Sequence, residues 1–117
     1  MTHWIRVCRE DVLKDGESRG FSLNAAHGCL EIFLVCKDGR HYAYHNRCPH
    51  TGAPLDWVPD RFLDLDRRFI QCATHDARFR IDTGECVAGP CLGESLQNLE
   101  LCRRDGAWWV APPGEPQ

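Results

Sequence analysis

Two short motifs, Cys48-Pro49-His50 and Cys72-Ala73-Thr74-His75, constrain this chain more than any other feature. Each sets a thiol and an imidazole within one turn of chain, and residues 51–71 lie between them. Two soft thiolates and two borderline imidazoles delivered in two turns make a four-ligand metal site. Each pair sits where a strand-like stretch runs into a turn, so both can form loops at one end of a β framework. Zinc suits two thiolates and two imidazoles. Two features weigh against it: Cys-x-His is tighter than the usual zinc-finger spacings, and each half supplies one ligand of each type. Spacing leaves zinc and iron both open.

At 117 residues the chain reads as one domain, 1–117, long enough for a real core. A net charge of −3 gives no reason to expect nucleic acid or an anionic membrane as a partner. The N-terminal residues carry no apolar signal region, and no run approaches the ~18 apolar residues of a spanning helix. A cytoplasmic protein is expected. The eight cysteines admit a disulfide framework, but without a secretory signal a cysteine cluster points to metal binding. Cys8, Cys29, Cys36, Cys86, Cys91 and Cys102 are then expected as small buried apolar residues.

Trp4–Leu13 reads as a first strand with a polar sequel, and Lys14–Ser18 as a loop. Cys29–Lys37 is the clearest strand: Leu30, Ile32, Leu34 and Cys36 line one side, with Glu31 and Lys37 on the other. Asp38-Gly39 turns it into His41–Asn46, which leads into Cys48. Further strands are expected at Arg68–Gln71, Arg78–Ile81, Leu96–Leu101 and Ala107–Val110, with Val87–Pro90 as a loop. Short strands punctuated by Gly and Pro, with no amphipathic helical stretch, indicate an all-β sandwich or barrel-like domain.

Cys48-Pro49-His50-Thr51-Gly52-Ala53-Pro54-Leu55 resembles the first cluster loop of the Rieske iron–sulfur family, and Cys72–His75 the second, with Phe79, Thr83-Gly84 and Gly89-Pro90 as its sequel. The resemblance covers about residues 28–101. It implies an all-β, Rieske-like sandwich of short antiparallel sheets with a cluster-binding subdomain of two loops at about residues 46–91. It also implies one [2Fe-2S] cluster per chain, with Cys48 and Cys72 on one iron, His50 and His75 on the other, and Gly89-Pro90 covering it.

In the oxidised state two ferric ions, two sulfides and two thiolates sum to zero charge, whereas four thiolates leave a negative centre. An electron enters the neutral site more easily, which lifts the potential to about −150 to +300 mV. High-potential relatives add an inter-loop disulfide at positions that here read Ala53 and Thr74, and hydroxyl donors at positions that here read Ala77 and Phe79. Without them the resemblance implies a low potential. Asp76 departs from the family glycine after the last ligand; Asp tolerates a left-handed backbone better than most residues, and a carboxylate aimed inward would lower the potential further.

The function this implies is a Rieske-type ferredoxin carrying one electron from a flavoprotein reductase to an oxygenase or similar terminal enzyme. Docking is expected near His50, His75, Pro49, Pro54 and Pro90, with Ala53 and Leu55 completing an apolar rim. A small subunit of a larger reductase or oxygenase, similar to nitrite reductase small subunits, and a zinc-stabilised binding module are the alternatives. No histidine follows His75 to build a two-His-one-carboxylate iron, and no dinucleotide fingerprint is present, so no catalytic site of its own is expected. His41 and His45 read as surface histidines, the four tryptophans as packing, and Asp56, Asp60, Asp64 and Asp66 as a solvated loop face able to steer a basic reductase.

Overall fold

Residues 4–25, 28–49, 52–56, 60–72 and 77–111 are described by the structure, a computed structural model. They form nine strands: β1 (Ile5–Arg9), β2 (Ser18–Ala25), β3 (Gly28–Lys37), β4 (Arg40–His45), β5 (Phe69–Gln71), β6 (Arg78–Arg80), β7 (Cys86–Ala88), β8 (Leu101–Arg104) and β9 (Ala107–Val110). Three antiparallel three-stranded sheets result, ordered β1-β9-β8, β2-β3-β4 and β5-β6-β7. No helix occurs among the described residues, so none there is long and apolar enough to cross a membrane.

Strand β3 organises the rest. The expected apolar side, Leu30, Ile32, Leu34 and Cys36, is buried as read, in one core with Cys8, Leu23, Ala43, Leu99 and Val110. The other side is not a solvent face: Phe33 and Val35 are fully buried in a second core with Tyr44, Leu55, Phe62, Ile70 and Phe79. Neighbouring β4 divides in the same way, Ala43 going to the first core and Tyr44 to the second. The middle sheet is therefore covered on both faces.

Both tight hairpins follow turn chemistry. Asp38-Gly39 joins Lys37 to its partner Arg40, and Asp105-Gly106 joins Arg104 to Ala107; all four turn residues have positive φ. That conformation matches the twist of the strands, and Asp and Gly tolerate it. Strand β2 stands out poorly in the sequence, because Ser18, Arg19 and Gly20 lack the alternation that Phe21, Leu23 and Ala25 keep with Ser22 and Asn24. Its Gly20 faces Phe33 in the ladder, and a Cβ there would stand 3.3 Å from the Phe62 ring. The missing side chain lets Phe62 stack on Phe33 at 4.2 Å between centroids.

Three expectations need correction. Val87 and Ala88 belong to β7; a bulge in its pairing with β6 hides the alternation. Residues 96–100 are not a regular strand. Leu96 enters the second core and Leu99 the first, so the chain crosses the edge of β4, touching it through Leu99 N–H to Ala43 O at 3.0 Å and His45 N–H to Gln97 O at 3.0 Å. His41 is half-buried, its ring stacked on Trp108 at 4.4 Å, where it joins the middle sheet to the terminal one.

Burial, with Arg103 adding to it, holds the His41 pKa below its ordinary value near 6.5. The unfolded chain then binds a proton that the folded chain refuses as pH falls below about 6.5. Stability is full above that pH and declines below it, and His41→Gln removes that part of the decline when urea unfolding is compared at pH 7.5 and 5.5. Phe33→Ala costs about 3–5 kcal/mol in the same assay, whereas Leu65→Ala, at a fully exposed position, stays within about 0.5 kcal/mol.

Candidate metal centre

Cys48 follows β4 and Cys72 follows β5; both are fully buried and both belong to the second core. Their loops close alike. The Cys48 amide donates to the Ala53 carbonyl at 2.7 Å and the Cys72 amide to the Ala77 carbonyl at 2.9 Å, so each loop returns on itself after five residues. In the first loop Gly52, with φ +77, also donates to the Cys48 carbonyl at 2.8 Å. Asn46 braces its base: its side-chain oxygen accepts from the Leu55 amide at 2.8 Å, and its side-chain nitrogen donates to Asp56 at 3.1 Å.

The second loop is braced from the other side. The Gln71 amide donates to the Phe62 carbonyl at 2.8 Å. Gly89, with φ +94, lies against Ala77 so closely that a Cβ would come 2.8 Å from the Ala77 Cα. Tyr44 ties this half to the middle sheet through its hydroxyl, which donates to the Ile81 carbonyl at 2.6 Å. Burial, with the Asp82 charge adding to it, raises the Tyr44 pKa, so the hydroxyl keeps its proton.

His50, Thr51, Thr74, His75 and Asp76 lie outside the described residues; of the four expected ligands the structure describes the two thiols, which share the second core. Of the expected rim, Pro54 and Pro90 are exposed and Pro49 and Ala53 half-buried, but Leu55 is core rather than rim. Leu92, missed in the sequence, is 65 % exposed two residues after Pro90. Of the four acids expected on a solvated face, Asp60 and Asp66 are exposed, Asp56 is half-buried and Asp64 is not on that face. Asp64 is buried and accepts from the Arg68 and Phe69 amides at 2.9 and 3.2 Å, Asp60 accepts from the Gly20 amide at 2.8 Å, and Asp56 holds Asn46. Trp57 is outside the described residues.

Cys8, Cys36, Cys86 and Cys91 are buried free thiols, as expected, whereas Cys29 is exposed and Cys102 half-buried. Cys91 stands apart from the others because its Sγ lies 4.0 Å from the Sγ of Cys48. Burial, then the neighbouring Cys48, pushes its pKa up to about 12. Ala77 and Phe79, which share this wall, are fully buried and carry no side-chain donor.

Two fully buried thiols in one core, each at the start of a closed loop, are a donor set suited to a soft metal centre. The family of the Rieske [2Fe-2S] domain matches residues 3–102. The chain is 32% identical over 88 residues to the ferredoxin component of the naphthalene 1,2-dioxygenase/salicylate 5-hydroxylase systems of Ralstonia sp, covering 75% of this chain and 76% of that one. It is 33% identical over 95 residues to apoptosis-inducing factor 3 of Mus musculus, covering 81% of this chain but only 14% of that relative's length. Among solved structures, the ferredoxin of carbazole 1,9a-dioxygenase from Nocardioides aromaticivorans IC177 superposes with a TM-score of 0.74 at 27% identity, covering 95% of this chain and 99% of that one. The chain belongs to the Rieske [2Fe-2S] domain family, whose cofactor is a two-iron, two-sulfide cluster.

Gly89→Ala tests the bracing of the second loop. A non-glycine residue at that φ costs about 1–2 kcal/mol, and the contact with Ala77 adds to it. The unfolding midpoint of the variant falls, and its iron content per chain drops with it.

Proposed function

We propose that Cys48, His50, Cys72 and His75 hold the [2Fe-2S] cluster and that the chain is a Rieske-type ferredoxin, taking one electron from a flavoprotein reductase and passing it to an oxygenase or similar terminal enzyme. The observation that carries this reading is the pair of buried thiols on matching closed loops, in a fold shared with a ferredoxin over nearly the full length of both chains. When bound, the cluster supplies a one-electron acceptor; everything else is done by the chain. Leu55, Ile70 and Phe79 keep water from the cysteine side. Pro54, Pro90 and Leu92 offer an exposed apolar surface around the loops, suited to brief docking.

The wall formed by Ala77 and Phe79 supports a potential in the low part of the family window, because neither side chain can stabilise added negative charge on sulfur. Six free thiols support a reducing compartment, the cytoplasm. A second reading, a fixed subunit or module of a larger assembly, is favoured by the match to one seventh of a much longer relative.

Purified protein is expected to be red-brown, to contain two irons per chain, and to give a reduced-state EPR signal with the low average g value of mixed nitrogen and sulfur ligation. A colourless protein with stoichiometric zinc would falsify the reading. Gel filtration of native extract separates the two roles: a carrier elutes near its own mass, a fixed subunit in a larger complex.

A further inference from the structure

We propose that Cys91 donates a hydrogen bond from its thiol to the sulfur of Cys48 and thereby raises the reduction potential of the centre. The proposal rests on the ligand assignment given above. The two sulfurs are 4.0 Å apart and both residues are fully buried. A cysteine sulfur bonded to iron has no proton to give, so within the pair Cys91 is the donor and Cys48 the acceptor. A buried Cys91 thiolate beside that sulfur would be an uncompensated second negative charge, which the apolar surroundings oppose.

The donor is held in place by its own turn. The Cys91 carbonyl accepts from the Glu94 amide at 2.9 Å, and the Glu94 carbonyl accepts from the Cys86 amide at 3.0 Å, which ties the turn to the start of β7. At its other end Gly89 sits against Ala77 in the second ligand loop. These contacts fix the Cys91 backbone, so its thiol starts from a set position beside Cys48. Cys86, the next thiol in the core, turns its proton elsewhere, donating to the Ala88 carbonyl at 3.2 Å.

The consequence has a definite sign. An electron entering the centre places additional negative charge on the sulfur ligands, and a donor aimed at one of them stabilises the reduced form more than the oxidised form. Ala77 and Phe79 in the same wall have no hydrogen to offer. A thiol is a weaker donor than a hydroxyl, so the effect is modest and leaves the potential in the low range.

The test uses the cluster-loaded protein and its Cys91→Ala and Cys91→Ser variants. Voltammetry of Cys91→Ala should show a reduction equilibrium about fivefold less favourable, which is ~40 mV at 59 mV per tenfold for one electron. Cys91→Ser keeps a donor and should sit at or above the unsubstituted protein. Resonance Raman adds a readout that packing alone does not move: the Fe–S stretch involving cysteine shifts in D2O in the unsubstituted protein, and the shift shrinks in Cys91→Ala. An unchanged or raised potential in Cys91→Ala with an intact EPR signal overturns the proposal. If Cys91→Ala does not retain its cluster, Cys91→Ser decides, and a potential below that of the unsubstituted protein overturns it. An unsubstituted protein without the two-iron EPR signal overturns the ligand assignment itself, a distinct outcome.

Discussion

The burial of β3 on both faces is the constraint from which the rest follows. A three-stranded sheet with one apolar face needs one cover, whereas β3 presents Ile32 and Leu34 to one side and Phe33 and Val35 to the other, so it needs two. The terminal sheet, through Cys8 and Val110, supplies the first cover together with Leu13 and Leu99. The second cannot come from long strands, because the intervening chain is spent on the two loops that follow Cys48 and Cys72. It is assembled from Phe62, Ile70, Phe79, Leu55 and the two cysteines themselves. The two cysteines singled out by the motifs are therefore part of the packing that hides half of the sheet.

That arrangement explains why so many polar groups are engaged in holding loops. Segments 46–56 and 60–72 have few ladder bonds, so their backbone groups find side-chain partners. Asn46 meets the Leu55 amide, Asp64 the amides of Arg68 and Phe69, Asp60 the amide of Gly20, and the Ser18 hydroxyl donates to the Asp60 carbonyl at 2.8 Å. In an apolar setting each such bond also removes the cost of an unpaired group. The thiols are presented by a polar scaffold whose members are scattered over more than forty residues of sequence.

The two hairpins, the inner side of β3 and the terminal β9 were legible because each rests on local chemistry: Asp-Gly at a two-residue turn, alternation along a strand. Motif spacing singled out Cys48 and Cys72, which share one core. What escaped depended on contacts distant in sequence. β2 reads poorly because Gly20 answers to Phe62 rather than to a strand pattern, and Asp64 reads as a surface acid because its amide partners come from the turn it closes. Leu96 and Leu99 imitate a strand because both are buried, but in different cores. Cys91 gave one usable signal, its place directly after Gly89-Pro90, the segment expected to cover the cluster.

Pro90-Cys91-Leu92 sets two different surfaces back to back. Pro90 and Leu92 face solvent, and Cys91 between them is fully buried against Cys48. Alternation along three residues thus puts an exposed apolar surface on one side of the backbone and the neighbour of Cys48 on the other. The turn is held by Glu94 on one side and by the Gly89–Ala77 contact on the other. A partner pressing on Pro90 and Leu92 therefore meets a surface whose inner side is already fixed, and the distance from Cys91 to Cys48 is set by the fold before any partner arrives. On the proposed reading, rigidity here keeps the driving force for electron transfer a property of this chain rather than of whichever partner it faces.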